Sequence, residues 1–424
     1  MDYLAMAPAR EARGVVRAPP SKSATNRALL LAALSPTPVE LVRPLDSEDT
    51  RVLARCLRAL GASIEESGAG LRVQGPVRGR GSDQVLLDAG ESGTAARFLA
   101  ALAAATPGRF LLDGSPGLRG RPMRELTRAL RSIGGAIVSR GEDDGLPLEI
   151  GGGTLRSGIV SVDASRSSQF VSALLLAAVA VEGGLEVHAS GRVASAPYVG
   201  STLDALEAFG HAVFRGPALR VERGPAAAGR YGIPGDYSSA LPLLAAPGIL
   251  GGEVRVEGLA WPSRDADAIA LEALQRMGMT IVRGEEGTVV GRAPRARLTG
   301  LEVVATDFPD AVPVLAALAL FAGGESRIQG IAHLRWKESD RLEAVTKLLQ
   351  AAGGAVERDA DALTIRGAPL EAGSRALPTA GDHRIVMAAA LVALGRPGAL
   401  IERPDHVAKS YPRFFADLES LLAR

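Results

Sequence analysis

A few rare residues stand out as candidates for chemistry. Only four of the 48 basic residues are lysines, and three of these, Lys22, Lys337 and Lys409, lie where a loop is predicted to enter a helix. Lysine carries a compact charge with a tunable pKa, which suits proton transfer or phosphate binding. Asn26, the only asparagine, lies beside Lys22 and Arg27 in the segment SKSATNR. This clustering favours a functional role over a surface one.

Acidic residues accompany these cations. The segment RWKESDR, residues 335–341, places five charges in seven residues and is predicted to begin an outer helix. A solvated helix start with ion pairs is the alternative interpretation. Asp310 and Glu338 would weaken the binding of anions unless they take part in chemistry, so their presence among the basic residues indicates acid–base catalysis.

The elements that position these residues follow an internal repeat. An apolar run with a polar start recurs six times, at intervals of 71 to 75 residues. Each run stays uncharged for about three turns beyond its first residues, which predicts a helix buried on nearly all sides. N-capping alone would explain any single serine or aspartate at such a start. The runs begin at Ser21, Ser92, Ser167, Ser238, Asp310 and Asp382.

A second marker, an amphipathic helix that ends in glycine before a β-branched run, recurs five times and predicts outer helices. The six apolar runs define six repeat units in 424 residues, which divide into two domains of three. We expect one domain over residues 15–235 and another over 1–14 with 236–424, with the active site in the cleft between them. Converging helix starts would form an anion pocket there, which predicts substrates with phosphate or carboxylate groups.

The composition excludes several classes of partner. A net charge of +1 and an aromatic content of 4% argue against nucleic acid and against an anionic membrane surface. We find no apolar leader and no stretch long enough to span a bilayer, so we expect a cytoplasmic protein. A single cysteine and five scattered histidines favour a mechanism without metal or cofactor. We therefore expect a monomer that acts on small molecules.

Eight motifs, taken in order, identify a family. They are PPSKSATNRALLLAAL, ESGTAARFLAALAA, RGRPMRELTRALRSIGG, SRSSQFVSALLLAA, FPDAVPVLAALAL, RWKESDR, GDHRIVMAAALVAL and AKSYPRFF. Together they resemble the 5-enolpyruvylshikimate-3-phosphate synthase family over essentially the whole chain. The resemblance implies an α/β fold of two domains, each with three βαβαββ units around buried inner helices, the inside-out α/β barrel of enolpyruvyl transferases.

The implied reaction belongs to the shikimate pathway of aromatic amino acid biosynthesis. It moves the enolpyruvyl (carboxyvinyl) group of phosphoenolpyruvate to the 5-hydroxyl of shikimate 3-phosphate and releases phosphate. By motif match, shikimate 3-phosphate would be bound by Lys22, Ser23, Arg27, Ser167, Ser168, Gln169, Ser195, Asp310, His333 and Lys337. Phosphoenolpyruvate would be bound by Lys22, Gly93, Thr94, Arg121, Gln169, Arg341, Arg384 and Lys409. Two positions depart from the family: His333 replaces a common asparagine, and Phe98 replaces a common proline.

The roles of the proton carriers follow from the reaction. We assign Asp310 as the base toward the hydroxyl, with Lys22 and Glu338 exchanging protons at the enolpyruvyl carbon and the arginines compensating phosphate charge. The division between Lys22 and Glu338 stays open, because coupled groups in one pocket need not have separate roles. His383 is a supporting residue that carries a proton or orients Arg384.

Two other functions are alternatives to this reaction. A related enolpyruvyl transferase acts on UDP-N-acetylglucosamine and commonly uses a loop cysteine, whereas Cys56 lies in the helical segment ARCLRALGA and is predicted to be a buried apolar residue. A non-catalytic repeat protein that binds phosphorylated ligands or RNA ends is disfavoured by the scarce aromatics and by the acidic residues in the predicted pocket.

Overall fold

The chain forms two compact units in a computed structural model. The N-terminal unit comprises Pro20–Ile233, and the C-terminal unit comprises Met1–Pro19 with Pro234–Arg424. The chain thus changes unit after residues 19 and 233, whereas the sequence placed these changes after residues 14 and 235. The structure describes residues 2–68, 70–75, 77, 83–224, 229–260, 263, 265–284, 287–293, 297–367 and 373–423.

Two strands of the C-terminal unit precede the N-terminal unit in the chain. They are β1 (Tyr3–Ala5) and β2 (Glu11–Arg17). The N-terminal unit then contains α1 (Lys22–Leu34), β3 (Val39–Val42), α2 (Glu48–Ala59), β4 (Ser63–Ser67), β5 (Gly70–Gln74), β6 (Gln84–Asp88), α3 (Gly93–Ala105), β7 (Gly108–Asp113), α4 (Pro116–Arg119), α5 (Arg124–Ser132), β8 (Ala136–Ser139), β9 (Leu148–Gly152), β10 (Gly158–Asp163), α6 (Gln169–Ala178), β11 (Leu185–Ser190), α7 (Pro197–Ala208), β12 (Ala212–Phe214), β13 (Leu219–Glu222) and β14 (Arg230–Gly232).

The remainder of the C-terminal unit follows the same alternation. It contains α8 (Tyr237–Ala245), α9 (Pro247–Leu250), β15 (Gly252–Glu257), α10 (Ala270–Arg276), β16 (Thr280–Arg283), β17 (Val289–Arg292), β18 (Glu302–Val304), α11 (Val312–Ala319), β19 (Glu325–Gln329), α12 (Arg341–Ala351), β20 (Ala355–Arg358), β21 (Ala362–Arg366), β22 (Ala376–Leu377), α13 (His383–Leu394), β23 (Leu400–Glu402), α14 (Phe414–Ser420) and β24 (Leu422–Ala423).

One sheet pattern is repeated in both units. In the sheet of order β6-β7-β9-β8, the first pair is parallel and the other two pairs are antiparallel, and the sheets β10-β11-β13-β12 and β18-β19-β21-β20 share this arrangement. The first sheet of the N-terminal unit, β14-β3-β5-β4, takes its parallel edge strand from the last strand of that unit. The βαβαββ repeat inferred from the motifs is confirmed.

The first strands of the chain complete sheets of the C-terminal unit. β2 pairs in parallel with β15 from Ala12 to Arg17, and β1 pairs with β23. This pairing explains why residues 15–17 lie with the C-terminal unit. The backbone hydrogen-bond partners of β2 lie more than 200 residues away in β15, so a local sequence pattern cannot reveal this pairing.

The inner helices are buried as predicted. Every residue of α8, α11 and α13 is buried, and α3 and α6 are almost as enclosed. Their alanine and leucine side chains fill one apolar core in each unit. Uniformly apolar surfaces allow a helix to be enclosed on every side, whereas the outer helices keep a polar face.

The glycines that end the outer helices have the conformation that this position requires. Gly61, Gly134, Gly210, Gly278 and Gly353 follow α2, α5, α7, α10 and α12, and their φ angles lie between +80° and +99°. A side chain would strain this left-handed conformation, so glycine terminates each helix. Within the described residues, none of the helices combines the length and the apolarity that a membrane span requires.

Candidate active site

Lys22 begins α1, and a buried carboxylate holds its ammonium group. Ser21 caps this helix by accepting a hydrogen bond from the backbone N–H of Ala24 at 3.3 Å. Lys22 Nζ lies 3.2 Å from Oδ2 of Asp49 in the first turn of α2, and the two side chains are only 13% and 5% exposed. The sequence analysis missed Asp49, because an acidic residue after the capping Ser47 resembles any ordinary helix start.

Arg27, one turn later on α1, is fixed by oxygen acceptors on two helices. Its Nε donates to Oγ1 of Thr202 at 2.8 Å, and its Nη2 donates to the carbonyl of Tyr198 at 3.0 Å. Its Nη1 donates to the carbonyl of Ser23 at 3.0 Å and also to the Ser23 hydroxyl. The guanidinium lies 5.6 Å from the ring centroid of Phe98, a cation–π distance. Arg27 is therefore held in one orientation.

The starts of α3 and α6 are joined by a chain of polar contacts. Gln169 donates through Nε2 to Oγ1 of Thr94 at 3.1 Å and accepts through Oε1 from Nη1 of Arg97 at 2.5 Å. Arg97 also donates through Nη2 to the carbonyl of Pro122 at 3.1 Å. These bonds fix the amide of Gln169 and tie it to the segment that carries Arg121. Arg97 is not among the site residues that the sequence predicted.

Besides Ser23, the other three predicted serines of the N-terminal unit also lie at helix starts. Ser168 is the residue before α6, and Oγ of Ser167 accepts a hydrogen bond from the backbone N–H of Gln169 at 3.2 Å. Ser195 is buried with a φ of +59°, and its carbonyl accepts from Tyr198 N–H at 3.1 Å. Ser195 therefore lies one turn before the carbonyl that holds Arg27. An αL conformation in a non-glycine residue is often found at functional sites.

Gly93 leaves room for two guanidinium groups over the start of α3. A β-carbon built on Gly93 would lie 2.9 Å from Nη1 of Arg121 and 3.1 Å from Nη1 of Arg97. Both distances are shorter than ordinary contacts, so the absence of a side chain permits this approach. Guanidinium donors and the backbone N–H groups of a helix start can then share one anion.

We expect the substitution Gly93→Ala to raise KM for phosphoenolpyruvate about tenfold, because its methyl group displaces the Arg121 guanidinium. Loss of a hydrogen bond to a charged group costs about 1.5 kcal/mol, which corresponds to this factor. Steady-state kinetics with each substrate varied in turn would check it. Gly120→Ala, where the nearest atom to the added carbon is 3.8 Å away, is the control. An unchanged KM for phosphoenolpyruvate in Gly93→Ala would contradict the assignment of Arg121.

Arg341 is the centre of the predicted residues in the C-terminal unit. Its side chain is 1% exposed and makes ion pairs with three carboxylates. Nη1 donates to Asp310 Oδ1 at 2.8 Å, Nη2 to Glu338 Oε2 at 2.7 Å, and Nε to Asp382 Oδ2 at 2.9 Å. Arg341 is therefore not part of a solvated ion pair, whereas Arg335 and Asp340 of the same segment are exposed. The segment lies at the start of the outer helix α12, as predicted, and the helix itself begins at Arg341 with Asp340 as its N-cap.

Arg384 joins the same cluster through Asp310. Its Nη2 lies 3.4 Å from Asp310 Oδ2 and donates to Oγ of Ser238 at 2.5 Å. Ser238 in turn donates to Asp236 Oδ1 at 2.5 Å. Asp382 caps α13 by accepting from the backbone N–H of Arg384 at 2.9 Å. Asp310 thus lies between two arginines whose remaining partners belong to other helix starts.

Two residues predicted to cap helices, Ser238 and Asp310, do not cap them in the structure. α8 is capped by Asp236, which accepts from Ser239 N–H at 2.9 Å, and not by Ser238. Asp310 caps nothing, because both of its oxygens bind arginine side chains. The capping interpretation was therefore wrong for Ser238 and Asp310, and it is correct for Ser21, Ser92 and Asp382.

The charges around Asp310 determine its protonation. Burial would raise the pKa of Asp310, but the positive charges of Arg384, Arg341 and Lys337 outweigh it and hold this pKa well below the ordinary carboxyl value. Burial would lower the pKa of Arg341, yet the carboxylates of Asp382, Glu338 and Asp310 raise it above its ordinary value. Asp310 and Arg341 are therefore both ionised at neutral pH.

The other predicted residues of this unit are also buried or nearly so. His383 is 1% exposed, and its Nδ1 lies 3.7 Å from Asp382 Oδ1. Lys409 is 5% exposed at the end of the short helix Pro404–Lys409, which packs against α13. His333 is buried in the short helix Ala332–Trp336, which packs against α12. Within the part of the chain that the structure describes, no three His, Cys, Asp or Glu residues form a group that could hold a metal ion.

Cys56 lies in α2 as a buried apolar residue, as predicted. It is 2% exposed, and its thiol donates to the carbonyl of Asp88 at 3.3 Å. Burial raises the pKa of this thiol to about 11. A thiol of this kind is a poor nucleophile at neutral pH, because the thiolate is the reactive form.

We therefore expect iodoacetamide at about pH 8 to label Cys56 at least 100-fold more slowly in the folded protein than in the chain unfolded by guanidinium chloride. The rate should rise about tenfold per pH unit toward the raised pKa. Mass spectrometry of quenched samples measures the labelled fraction, and Cys56→Ala provides the unlabelled control. Fast labelling that abolishes turnover would instead indicate a catalytic cysteine.

Similarity in three dimensions defines the class. An EPSP synthase from Acinetobacter baumannii matches with a TM-score of 0.81 and 25% identity, covering 100% of this chain and 98% of that chain. The enolpyruvyl transferase NikO from Streptomyces tendae matches with a TM-score of 0.79 and 21% identity, covering 99% and 97%. The fold is that of the enolpyruvyl transferases.

Sequence comparison gives the family within this class. The model of EPSP synthase (3-phosphoshikimate 1-carboxyvinyltransferase) matches residues 6–418. The chain is 41% identical over 421 residues to a 3-phosphoshikimate 1-carboxyvinyltransferase of Methanopyrus kandleri, covering 97% of this chain and 96% of that protein. It is 40% identical to one of Thermococcus kodakarensis, covering 98% and 99%. The chain belongs to the EPSP synthase family.

Proposed function

We propose that this chain transfers the enolpyruvyl group of phosphoenolpyruvate to the 5-hydroxyl of shikimate 3-phosphate, in the shikimate pathway of aromatic amino acid biosynthesis. Membership of the EPSP synthase family supports the reaction. The observation that carries the assignment is Asp310, a carboxylate held between the buried cations Arg341 and Arg384. A protein that only bound anions would gain nothing from a carboxylate at this place.

The arginines have the chemistry to bind phosphoenolpyruvate. Nη1 of Arg341 donates to Asp310 and Nη2 to Glu338, while Asp382 accepts from both Nε and Nη2. We propose that a substrate carboxylate or phosphate takes over the two Nη positions and that Asp382 keeps Nε. Forked donors match such oxygens in pairs. Arg384, Arg121 and Lys409 supply the further positive charge that a phosphate ester requires.

The N-terminal set suits the other substrate. Arg27, Ser23 and the serines at residues 167, 168 and 195 offer one cation and several hydroxyl groups, a combination that matches a phosphate ester with neighbouring hydroxyls. We propose that this set and the C-terminal set act on the same pair of substrates, with Lys337 and His333 on the shikimate 3-phosphate side.

Asp310 becomes a better base when phosphoenolpyruvate arrives. Its low pKa depends on Arg384, Arg341 and Lys337. A bound anion neutralises part of this charge, so the pKa of Asp310 rises toward the range in which a carboxylate accepts a proton. Asp310 then takes the proton of the 5-hydroxyl. The hydroxyl oxygen bonds to C2 of phosphoenolpyruvate, and C3 gains a proton. The product is a tetrahedral adduct.

The adduct breaks down by the reverse proton transfer. The bond from C2 to the phosphate oxygen breaks, C3 loses a proton, and the double bond of the product forms. Lys22 and Glu338 are the coupled pair that exchanges protons at these stages. The arginines offset the charge that develops on the departing phosphate, and such preorganised charges often supply the largest share of catalysis.

Phosphate release from phosphoenolpyruvate, followed with shikimate 3-phosphate or UDP-N-acetylglucosamine as the acceptor, tests this proposal. We expect turnover with shikimate 3-phosphate only. Phosphate release with UDP-N-acetylglucosamine alone would assign the related transferase activity to the chain. Phosphate release with neither acceptor would overturn the enzymatic function. No metal or cofactor is proposed, so chelation and dialysis should leave the rate unchanged.

We also propose that the protein works as a monomer in the cytoplasm, with small molecules and no nucleic acid as partners. A net charge of +1 supports this, because it provides no general attraction to polyanions. Light scattering after size exclusion should give a mass near 43.7 kDa, the mass of one chain. Twice that mass would indicate a dimer.

A further inference from the structure

A row of buried hydroxyl groups leads away from Arg27 into the N-terminal unit. Thr202 on α7 and Ser172 on α6 are both 0% exposed. Oγ1 of Thr202 accepts from Nε of Arg27 at 2.8 Å, lies 2.8 Å from Oγ of Ser172, and lies 3.0 Å from the carbonyl of Tyr198. Three helices from two repeat units, α1 of the first unit and α6 and α7 of the third, therefore meet at one hydroxyl.

The oxygens of Thr202, Ser23 and Tyr198 that accept hydrogen bonds from Arg27 are neutral. A hydroxyl of Thr202 and carbonyls of Ser23 and Tyr198 orient the guanidinium, but they do not cancel its charge as a carboxylate would. Arg27 is 97% buried by area, so its direction is set by these contacts rather than by water. A hydroxyl at this place, unlike a carboxylate, does not itself compete with an anionic ligand for the guanidinium.

We propose that Thr202, supported by Ser172, is a positioning residue for Arg27 in the binding of shikimate 3-phosphate, an inference that rests on the proposed function. Thr202 fixes the Nε edge of the guanidinium, so the Nη groups keep the direction in which they bind phosphate. The Thr202 proton is donated to Ser172 or to the Tyr198 carbonyl, which leaves a lone pair of Oγ1 directed at Arg27. Neither residue touches substrate in this account.

The substitution Thr202→Val tests the proposal, because valine has the shape of threonine but cannot accept a hydrogen bond. We expect the Kd for shikimate 3-phosphate alone, measured by calorimetry, and its KM to rise about tenfold, while KM for phosphoenolpyruvate changes less than threefold. Thr202→Ser keeps the acceptor and should restore values within about threefold of the parent protein. Ser172→Ala, which removes the second hydroxyl, should give an intermediate loss.

Thr346→Val is the matched control. Thr346 is also buried in a helix and donates to the carbonyl four residues earlier, Leu342, at 2.8 Å, but it contacts no site arginine. If Thr346→Val and Thr202→Val have the same effect, the loss is structural and the positioning role is wrong. Equal losses for both substrates, or a Thr202→Ser variant as weak as Thr202→Val, would also overturn it. Failure of the parent protein to turn over shikimate 3-phosphate would instead count against the proposed function.

Discussion

Replacement of Asp310 by asparagine is expected to lower kcat about 10³-fold, the effect of removing a general base. KM for phosphoenolpyruvate should stay the same or fall. Asp310 occupies Nη1 of Arg341 and lies 3.4 Å from Arg384, so its carboxylate competes with the substrate for both cations. Asparagine lacks the charge, and the arginines are then more available to the substrate.

This combination separates a base from a residue that only maintains the structure. A structural defect would lower the fraction of active protein or raise KM, whereas loss of the base lowers kcat with binding intact. Asp307→Asn, in the same loop and outside the arginine cluster, is the control and should keep full activity. A kcat within tenfold of the parent value for Asp310→Asn would show that another group accepts the proton.

Replacement of Arg341 by lysine has the second large effect. We expect kcat/KM for phosphoenolpyruvate to fall about 10²- to 10³-fold and the free energy of unfolding to fall by about 3 kcal/mol. Lysine has one point charge, whereas the guanidinium of Arg341 donates hydrogen bonds to three carboxylates, those of Asp310, Glu338 and Asp382. Asp382 is completely buried, and it loses the two hydrogen bonds that Nε and Nη2 of Arg341 donate to it.

Kinetics and chemical unfolding measure these two changes. Arg335→Lys lies in the same motif but is exposed, and it should change neither quantity. Affinity for shikimate 3-phosphate in the absence of phosphoenolpyruvate should also be retained in Arg341→Lys, since Arg341 is assigned to phosphoenolpyruvate. A stable Arg341→Lys protein with normal kcat/KM would remove Arg341 from the site.

The repeat architecture could be predicted because its signals are local. An uninterrupted run such as that of α13 indicates a helix enclosed on all sides, and a glycine such as Gly61 marks the end of an outer helix. Lys22 and Arg384 could be placed at helix starts for the same reason, whereas Lys409 lies at the end of a short helix. These signals depend on neighbours within one or two turns.

The partners of the site residues could not be predicted, because they come from distant segments. Thr202 lies 175 residues from Arg27, and Asp382 lies 41 residues from Arg341. In the sequence, Thr202 is one polar residue on an outer helix and Asp382 is a capping residue. Only tertiary packing brings Thr202 to Arg27 and Asp382 to Arg341. The same limit explains Asp310, where bonds to two arginines replace the expected cap.

The most direct test of the account is the reaction of phosphoenolpyruvate with shikimate 3-phosphate in D₂O, followed by proton NMR. Protonation and deprotonation at C3 require a methyl group in the adduct, so solvent deuterium should appear in the vinyl group of the product as phosphate is released. Asp310→Asn should show the same labelling at a rate about 10³-fold lower. Consumption of phosphoenolpyruvate without any deuterium in the product, or no consumption at all, would contradict the account.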